Sequence, residues 1–552
     1  MQPRLFKKTM ILLHTLCVLR IIGGSANAAV DLFTPFEMEL KSSGAYTNPY
    51  LEVEAYAAIT DPRGVESCGA YLFWDGGDRW KFRFAPTETG RWRWRITSKD
   101  PGLNGKSGEF ECVASARKGS IRPMPNFPRH FQRQDGSPFW FFGDTAWALF
   151  TDSAKEKHDR AAVERYIDTR ASQGFNVLHS MLLSEAGWGN RGGMPFENLS
   201  AERINSAYWR EVDERVAYAN RKGIVCGLVL AWGDKGRDEP FAWSKFPGVQ
   251  ARQRYARYIA ARYGAFDVYF IVSGEWHAEV TARQSTEEKI KSEFIRGIGE
   301  ALRDRLSNDR MITIHPMTEH GSVREFNEAP WMHFGDYQQN YDHLHARILE
   351  SLRFNKPVVN SEYGYHLRDQ SGDGVPDKEN STSVDTIRHA TWDIVMAGGY
   401  VVTGFGTTYF GGNRDPGPFD IDAERNDDWE KQIAVVKDVF TSVEWWKLNP
   451  NDELLSCTTA RGKDRQELKR VAPPKATYWC LADPGREYLV YGRGLKEPVT
   501  LRLAIGGIST WKLREINPMT GESKEKEQQI ENETFLYRPP SEADWIFILS
   551  RR

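Results

Sequence analysis

The sequence predicts a multidomain α/β protein in which a central (β/α)8 TIM barrel is flanked by N-terminal and C-terminal β-sandwich domains. The chain has 552 residues, which is more than a single hydrophobic core usually supports. Alternating strand patterns fill both ends of the chain, and strand–helix units fill its middle. The predicted domains are residues 29–118, 119–447 and 448–552, after a signal peptide at residues 1–28.

The start of the chain has the features of a secretory signal peptide. Basic residues open the segment, residues 10–22 are mostly apolar, and Ala26-Asn27-Ala28 fits the small-x-small cleavage pattern. His14 and Arg20 interrupt the apolar stretch, which argues against a membrane anchor, and no later segment is apolar enough to span a bilayer. We therefore expect an exported protein, periplasmic or extracellular, with no membrane partner.

The overall composition excludes several classes of function. The net charge is −2, with 73 basic and 75 acidic residues, which argues against binding to nucleic acid or to a membrane surface. The chain has no P-loop and no Gly-x-Gly-x-x-Gly motif after a strand, so nucleotide binding finds no support. Aromatic residues make up 12% of the chain, including 19 tryptophans. Most should pack in cores, and the surplus suits stacking on the apolar faces of sugar rings.

Cleavage of the signal peptide would leave five cysteines. Two local disulfides and one buried thiol are one interpretation for an exported chain, and unpaired core thiols are the other. The pairs that lie in one region each are Cys68 with Cys112 and Cys457 with Cys480, and Cys226 lies alone in an apolar strand.

Residues from about 30 to 116 have the pattern of an antiparallel β-sandwich. Segments 51–56, 79–84 and 90–96 alternate between apolar and polar residues, and turn-forming segments separate them. A Pro- and Arg-rich linker is expected at residues 117–133. Residues 448–552 return to strands, at 488–491, 499–503, 511–516 and 545–549, and predict a second β-domain.

In the middle region, short apolar strands alternate with amphipathic helices, such as 161–173 and 207–221, each followed by a glycine. Eight units of this size predict a closed barrel. The expected barrel strands are 138–142, 176–179, 224–231, 267–273, 311–315, 331–334, 357–361 and 400–405.

Two glutamates follow predicted strands at the same end of this barrel. Glu275 follows the fourth strand and Glu362 follows the seventh. Either glutamate alone is explained as well by capping a helix or pairing with an arginine. Together, within a set of aromatic residues, they fit the proton donor and the nucleophile of glycoside hydrolysis, and a carboxylate separation of about 5–5.5 Å would indicate a retaining mechanism.

Other side chains at the predicted strand ends are candidates for binding the substrate, because the carboxyl ends of barrel strands face the active site. They are Asp144, Trp147, His179, Trp232, Trp276, His277, His315, Tyr337, Gln338, Tyr363 and Phe405. The histidines among them could converge on a metal, but the first strand lacks the His-x-His pair of barrel metal hydrolases. We therefore expect no cofactor to be required for catalysis.

An acidic segment after the seventh predicted strand has the spacing of a calcium loop. Asp369, Ser371, Asp373 and Asp377 occupy positions 1, 3, 5 and 9 of an oxygen-ligand loop. Position 12 is Asn380 rather than glutamate, and a solvated polar turn explains the segment equally well. The sequence thus offers a structural calcium site as one of two interpretations.

The middle region resembles the apiosidase-like (β/α)8 glycoside hydrolases. The N-terminal region, with Gly90-Arg91-Trp92, is similar to the β-sandwich that often precedes such barrels, and the C-terminal region, with Asp544-Trp545-Ile546, is similar to a collagen-binding-type β-domain. The motifs of the middle region that carry the resemblance are Phe141-Phe142-Gly143-Asp144-Thr145-Ala146-Trp147, Gly174-Phe175-Asn176-Val177, Val229-Leu230-Ala231-Trp232-Gly233, Ser273-Gly274-Glu275 and Asn360-Ser361-Glu362-Tyr363-Gly364.

The resemblance implies a retaining glycosidase with Glu275 as acid/base and Glu362 as nucleophile, acting on a complex plant or algal polysaccharide or an oligosaccharide derived from one. Many enzymes of this clan carry an asparagine before the acid/base, where Gly274 stands here, so the contact with the sugar 2-hydroxyl must come from elsewhere. His179 and Asp144 are the candidates for it. Two alternatives stay open: a non-catalytic carbohydrate-binding protein on a degenerate barrel, and an endo-acting hydrolase of a common polysaccharide.

Overall fold

The structure is a computed structural model that describes residues 20–21, 29–154, 158–233, 239–276, 292–317, 322–338, 344–363, 383–404, 427–457, 477–494 and 497–552. These residues form an N-terminal pair of sheets, a central parallel barrel and a C-terminal pair of sheets. The predicted signal peptide lies outside the described residues except for two of its positions. None of the described helices has the length and apolar character needed to cross a membrane.

The N-terminal domain consists of two packed sheets, as the alternating patterns predict. The strand orders are β1-β3-β7-β6 and β2-β9-β8-β4-β5, and the inner faces enclose a core that includes Phe82 and Trp94. The elements are β1 (Arg20–Ile21), β2 (Ala29–Asp31), β3 (Phe36–Lys41), α1 (Pro49–Glu52), β4 (Ala55–Thr60), β5 (Glu66–Tyr71), β6 (Phe73–Trp74), β7 (Arg79–Phe84), β8 (Gly90–Ser98) and β9 (Ser107–Val113).

The segment predicted as a linker forms part of a small three-stranded sheet below the barrel. This sheet consists of β10 (Ile121–Pro123), β11 (Phe131–Arg133) and β12 (Pro138–Phe139), so the strand predicted at 138–142 is wrong at its start. The ring of Phe131 packs 5.1 Å from those of Phe141 and Tyr400, and this sheet thereby closes the amino-terminal end of the barrel.

The barrel contains eight parallel strands in the order β17-β16-β15-β14-β13-β20-β19-β18. Among the described residues no ladder joins β17 to β18, but other bonds cross this seam. Thr313 Oγ1 donates to Phe334 O over 2.7 Å, and the His333 N–H donates to Ile312 O over 2.9 Å. The strands are β13 (Phe142–Thr145), β14 (Val177–Met181), β15 (Val225–Val229), β16 (Val268–Ile271), β17 (Ile312–Thr313), β18 (Gly335–Gln338), β19 (Val358–Glu362) and β20 (Tyr400–Thr403).

Helices surround the barrel and begin where the sequence supplies caps. Asp159 accepts from the Ala162 N–H at the start of α2, and Asn205 accepts from the Ala207 N–H at the start of α3. The helices are α2 (Arg160–Ser172), α3 (Ser206–Arg221), α4 (Gly248–Tyr263), α5 (Ser292–Asp304), α6 (Ser322–Phe326), α7 (Leu344–Ser351), α8 (Val384–Val395) and α9 (Asp427–Thr441). Short 3-10 turns occupy Glu197–Leu199, Trp243–Lys245, Leu352–Phe354, Trp445–Lys447 and Asp452–Leu454.

One barrel strand lies later in the chain than its sequence pattern predicts. The apolar segment 331–334 is not a strand; β18 begins at Gly335. Trp331 is fully buried and its ring packs 5.4 Å from that of Phe326 in α6, so this segment fills the layer between helix and barrel. As a consequence, Tyr337 and Gln338, which were predicted to follow the sixth strand, lie within that strand, β18.

The C-terminal region folds as the predicted second β-domain. Its sheets have the orders β21-β23-β24-β29-β26-β27 and β22-β25-β28. The strands are β21 (Asn449–Pro450), β22 (Leu455–Ser456), β23 (Thr477–Asp483), β24 (Glu487–Arg493), β25 (Val499–Arg502), β26 (Ser509–Ile516), β27 (Ser523–Ile530), β28 (Thr534–Tyr537) and β29 (Trp545–Arg551). The interpretation with two disulfides is wrong, because Cys68, Cys112, Cys226 and Cys480 are thiols.

Buried ion pairs join the N-terminal domain to the barrel. Arg83 of β7 bonds Glu37 of β3 at 2.7 Å and Asp213 of α3 at 2.7 Å. Arg262 of α4 bonds the same Asp213 at 2.8 Å and Asp75 at 3.0 Å. All of these side chains are buried, so the two domains share one network of charges out of contact with water.

A further network joins the barrel to the C-terminal domain. Arg493 of β24 donates two hydrogen bonds to Asp393 of α8, over 2.7 and 2.9 Å, and Trp479 Nε1 donates to the same carboxylate over 2.8 Å. The ring of His345 in α7 stacks on Trp479 with centroids 3.7 Å apart. The β-domain is therefore fixed against the outer helices of the barrel.

A buried histidine at the floor of the barrel predicts acid sensitivity. His130 Nδ1 lies 2.7 Å from the Tyr400 hydroxyl, and burial, aided by the charge of Arg129, lowers the pKa of His130 to about 4. Between about pH 6.5 and pH 4 the unfolded chain binds a proton that the native protein does not, so stability falls as the pH falls through this window, by up to about 3 kcal/mol. We expect a His130→Gln protein to show a smaller difference in urea stability between pH 7 and pH 4.5; equal pH dependence in both proteins would contradict this.

Candidate active site

Glu275 lies at the carboxyl end of β16 in an unusual backbone conformation. Its φ of +40° is rare for a residue other than glycine, and such strained positions are concentrated at functional sites. Its carboxylate accepts two hydrogen bonds from uncharged donors. Trp232 Nε1 donates to Oε2 over 3.2 Å, and Gln338 Nε2 donates to Oε1 over 2.9 Å. Two side chains thus orient Glu275: Trp232, which follows β15, and Gln338, which ends β18.

The structure explains why a glycine precedes Glu275. Gly274 forms a β-bridge with Trp232, and a Cβ atom at position 274 would lie 2.1 Å from Cε3 of the Trp232 ring. Any side chain at this position would therefore displace the indole that bonds Glu275. An asparagine, as found in many enzymes of the clan, cannot be accommodated unless Trp232 moves.

We expect Gly274→Ala to lower kcat/KM by about 100-fold, because a displacement of roughly 1 Å at a catalytic group costs that much. The measurement is hydrolysis of any glycan that the wild-type protein cleaves. Gly297→Ala is the matched control, since a Cβ there meets only the end of the Gln253 side chain, at 3.7 Å, and alanine favours a helix. Wild-type activity in Gly274→Ala would show that the contact between Trp232 and Gly274 has no role in catalysis.

Glu362, the last residue of β19, has a different set of partners. His315 Nε2 lies 3.0 Å from its Oε2. The other ring nitrogen of His315 lies 2.9 Å from Ser361 Oγ and 3.5 Å from Asp336 Oδ2. His315 and Asp336 are almost completely buried, and Glu362 is 9% exposed. The second candidate carboxylate therefore lies against a buried imidazole and a second acidic side chain.

The electrostatics of this group favour a positively charged His315. Burial alone would lower the pKa of His315, but hydrogen bonds and charges from Asp336 and Glu362 outweigh it and raise the pKa to about 10. Burial raises the pKa of Asp336, and the nearby His315 opposes that rise. The raised pKa favours an imidazolium at neutral pH, between two acidic side chains.

Aromatic rings form the floor of the mouth beside these groups. The ring of Trp147 lies 5.1 Å from His179, 5.2 Å from Trp232 and 5.7 Å from His315, measured between centroids. Burial, with a contribution from the charge of His315, lowers the pKa of His179 well below its ordinary value. Neither ring nitrogen of His179 has a hydrogen-bond partner among the described residues, so this buried imidazole has unused hydrogen-bonding capacity.

Several residues predicted to bind the substrate contact the outer helices instead. The Tyr337 hydroxyl bonds Ser351 of α7, and the Tyr363 hydroxyl bonds Thr391 of α8 over 2.9 Å. Asp144 is buried against α2, where it accepts from Tyr166 over 3.0 Å and from Arg170 over 2.5 Å. Trp276 packs its ring 5.0 Å from that of Phe326. These contacts give the predicted sugar-binding role of the four residues no support.

The period of a β-strand explains this outcome, because successive side chains point to opposite faces. In β18, Asp336 and Gln338 face the mouth, and Tyr337, between them, faces the helices. Asp336 and Ser361 also lie beside His315, and neither was among the site residues predicted from the sequence. The alternation within Gly335–Gln338 would have selected Asp336, had that segment been recognised as a strand.

Three buried side chains at the mouth of the barrel could together hold a metal. Ligand atoms of His179, His315 and Asp336 all lie within 4.8 Å of one another. A metal ion there would have to displace the proton of His315, because a metal binds the deprotonated imidazole. Other predicted residues lie outside the described residues; they are His277, Phe405, and the calcium-loop residues Asp369, Ser371, Asp373 and Asp377.

Two family descriptions match the chain. Residues 127–447 match the family described as "Apiosidase-like, catalytic domain". Residues 29–99 match a domain of unknown function, DUF5060. These matches cover the barrel and the N-terminal sheets, and the resemblance of the C-terminal region to a collagen-binding-type domain stays a prediction. No curated protein matches the chain.

Solved structures with the same fold are glycoside hydrolases by description. A candidate glycoside hydrolase from Bacteroides vulgatus ATCC 8482 is 16% identical with a TM-score of 0.70, over 95% of this chain and 100% of the other. A family 5 glycoside hydrolase from the same organism is 17% identical with a TM-score of 0.63, over 78% of this chain and 94% of the other. At such identities the likeness establishes the three-domain fold.

Proposed function

The chain belongs to the apiosidase-like catalytic domain family, and on this premise we propose that it is a retaining glycoside hydrolase. The observation that carries the proposal is the pair of buried carboxylates at the ends of β16 and β19. One accepts hydrogen bonds from Trp232 and Gln338, and the other lies 3.0 Å from His315 Nε2. Two carboxyl groups with contrasting surroundings are what acid/base and nucleophilic roles require.

In the first half of the reaction, Glu362 attacks the anomeric carbon while Glu275 donates a proton to the departing glycosidic oxygen. The ionised carboxylate is the attacking species, and His315 places a positive charge 3.0 Å from it. In the second half, Glu275 takes a proton from water, and that water releases the sugar from Glu362. Side chains alone carry both steps in this scheme.

The sugar is expected to lie against Trp147 and Trp232, since the Trp232 indole bonds Glu275 and both rings lie near His315, the partner of Glu362. His179 offers hydrogen-bonding nitrogens beside the same two rings. We expect it to bond a hydroxyl of the sugar ring in place of the asparagine, which does not fit at position 274. We propose a complex plant or algal polysaccharide, or an oligosaccharide derived from it, as the substrate, and export as the route to it.

Two other functions remain as outcomes of the test. An endo-acting hydrolase of a common polysaccharide would use the same carboxylates in a longer groove. A non-catalytic carbohydrate-binding protein would need neither carboxylate, and the paired environments of Glu275 and Glu362 disfavour it.

The test is product release from a panel of branched pectins, algal glycans and common polysaccharides. Wild type, Glu362→Ala and Glu300→Gln are compared; Glu300 is an exposed control on α5. An exo-acting retaining enzyme is supported if wild type and Glu300→Gln, but not Glu362→Ala, release a monosaccharide that keeps the anomeric configuration of the substrate. Longer products indicate endo action. Equal activity of Glu362→Ala, or product of inverted configuration, overturns the proposed mechanism.

A further inference from the structure

We propose that Asp336 is a positioning residue that keeps His315 doubly protonated, and that the resulting cation orients Glu362 for attack. The inference deepens the proposed function and rests on it, because it takes Glu362 as the nucleophile. It assigns a task to Asp336, which the catalytic scheme above does not use.

The geometry leaves His315 with acceptors on both sides. Its Nε2 faces the Glu362 carboxylate at 3.0 Å, and its Nδ1 faces Ser361 Oγ at 2.9 Å and Asp336 Oδ2 at 3.5 Å. A neutral imidazole carries one N–H. With that proton on Nε2 it could donate to Glu362 and accept from the Ser361 hydroxyl, but it would offer neither a proton nor a positive charge to Asp336. Only the imidazolium donates to both sides at once.

The charge of the cluster supports the same protonation state. Both Asp336 oxygens are buried with no hydrogen-bond partner among the described residues, so an ionised Asp336 depends on a positive charge at His315, 3.5 Å away. Within the described part of the chain, the other rings that pack around His315 carry no positive charge. They are neutral His179 of β14 at 5.5 Å between ring centroids, and the indoles of Trp147 and Trp232 at 5.7 and 5.6 Å.

The three side chains come from different parts of the barrel, which is why the arrangement can position a nucleophile. His315 follows β17, Asp336 lies within β18, and Glu362 ends β19. When the Nδ1 side of the His315 ring is fixed, the hydrogen bond from Nε2 restricts the Glu362 carboxylate to one rotamer. A nucleophile needs that restriction to reach an anomeric carbon. Without Asp336 the ring keeps only the Ser361 hydroxyl as its second partner.

The direct test is the protonation state of His315 in the intact protein, with no substrate present. Wild type, Asp336→Asn and the exposed control Asp304→Asn are labelled with 15N-histidine and titrated by NMR, with His315→Gln used to assign the signal. We expect His315 to remain doubly protonated above pH 8 in wild type and in the control, and to lose its proton at least about 1 pH unit lower in Asp336→Asn. A neutral His315 at pH 7 in wild type overturns the proposal.

A metal ion is the competing explanation for the same atoms, and the titration distinguishes it. If treatment of wild type with EDTA, followed by Zn²⁺, changes the His315 and His179 signals together, the cluster is a metal site and the proposal fails. Unchanged signals agree with a proton as the bound cation.

Kinetics then separate positioning from mere folding. On a glycan that wild type hydrolyses, Asp336→Asn is expected to lower kcat roughly 10- to 100-fold with little change in KM, and its loss of activity at alkaline pH should begin at lower pH than in wild type. An unaltered alkaline limb would contradict the proposal. Absence of hydrolysis by wild type would reject the proposed function, whereas a neutral His315 in an active enzyme would reject this inference alone.

Discussion

A Glu362→Gln enzyme is expected to turn over roughly four orders of magnitude more slowly than wild type, whatever the leaving group. The amide is nearly isosteric with the carboxylate, so the fold and the mouth should survive. It is not nucleophilic, and it also removes the negative partner of His315, which lies 3.0 Å away. In the proposed mechanism both effects act on the first chemical step, because the covalent bond to the sugar would form there.

The matched comparison is Glu275→Gln, whose defect should depend on the leaving group. An activated aryl glycoside departs without a proton, so this variant should keep its first step with such a substrate and lose it with a natural glycan. The measurement is kcat/KM for both substrate types in both variants, with thermal unfolding as the check on folding. Loss of activity in Glu275→Gln that is equal for both substrate types would contradict its assignment as proton donor.

Arg83→Met is expected to lower the stability of the N-terminal domain and its junction with the barrel by roughly 3 kcal/mol. The change leaves Glu37 and Asp213 buried with one cation fewer. Their remaining partners, Lys81 and Arg262, are also shared with Asp75. Burial would raise the pKa of Asp213, but Arg262 and Arg83 lower it to about 2, so this carboxylate is charged at neutral pH and needs its partners.

Thermal unfolding and urea denaturation at neutral pH measure this effect. Arg91→Met is the control, because Arg91 forms exposed pairs with Glu109, at 3.7 Å, and with Glu111, at 4.0 Å, and should change stability by less than about 0.5 kcal/mol. Arg83→Lys keeps the charge and should lose less than Arg83→Met. Similar stability of Arg83→Met and Arg91→Met would show that the buried network contributes no more than surface pairs do.

The architecture could be predicted because the periodic patterns are strong where the domains pack. Alternation in β8 buries Trp92, Trp94 and Ile96 on one face, and that pattern is visible in the sequence. Strand limits were less predictable. The apolar run at Trp331 is explained by packing against a helix, and periodicity alone does not separate a short buried strand from such a segment.

The candidate site was predictable to the extent that strand ends identify it. Glu275, Glu362, Trp232 and His315 contact one another in a connected set, as expected from their places at the carboxyl ends of strands. The orientation of each side chain was not predictable in the same way, since it depends on a register that shifts by one residue with the start of the strand. The predicted strand ended at residue 334, four residues before the end of β18, so the alternation within Gly335–Gln338 was not used and Tyr337 was selected in place of Asp336.

The seam of the barrel has a consequence for how the protein responds to heat. The strands β17 and β18 form no ladder among the described residues, and the contact between His315 and Asp336 spans this same opening. Any motion that separates β17 from β18 therefore disturbs the contact between His315 and Asp336 before it disturbs the hydrophobic layers around the barrel. On warming, activity should disappear several degrees below the temperature at which the domain loses its secondary structure, and return on cooling.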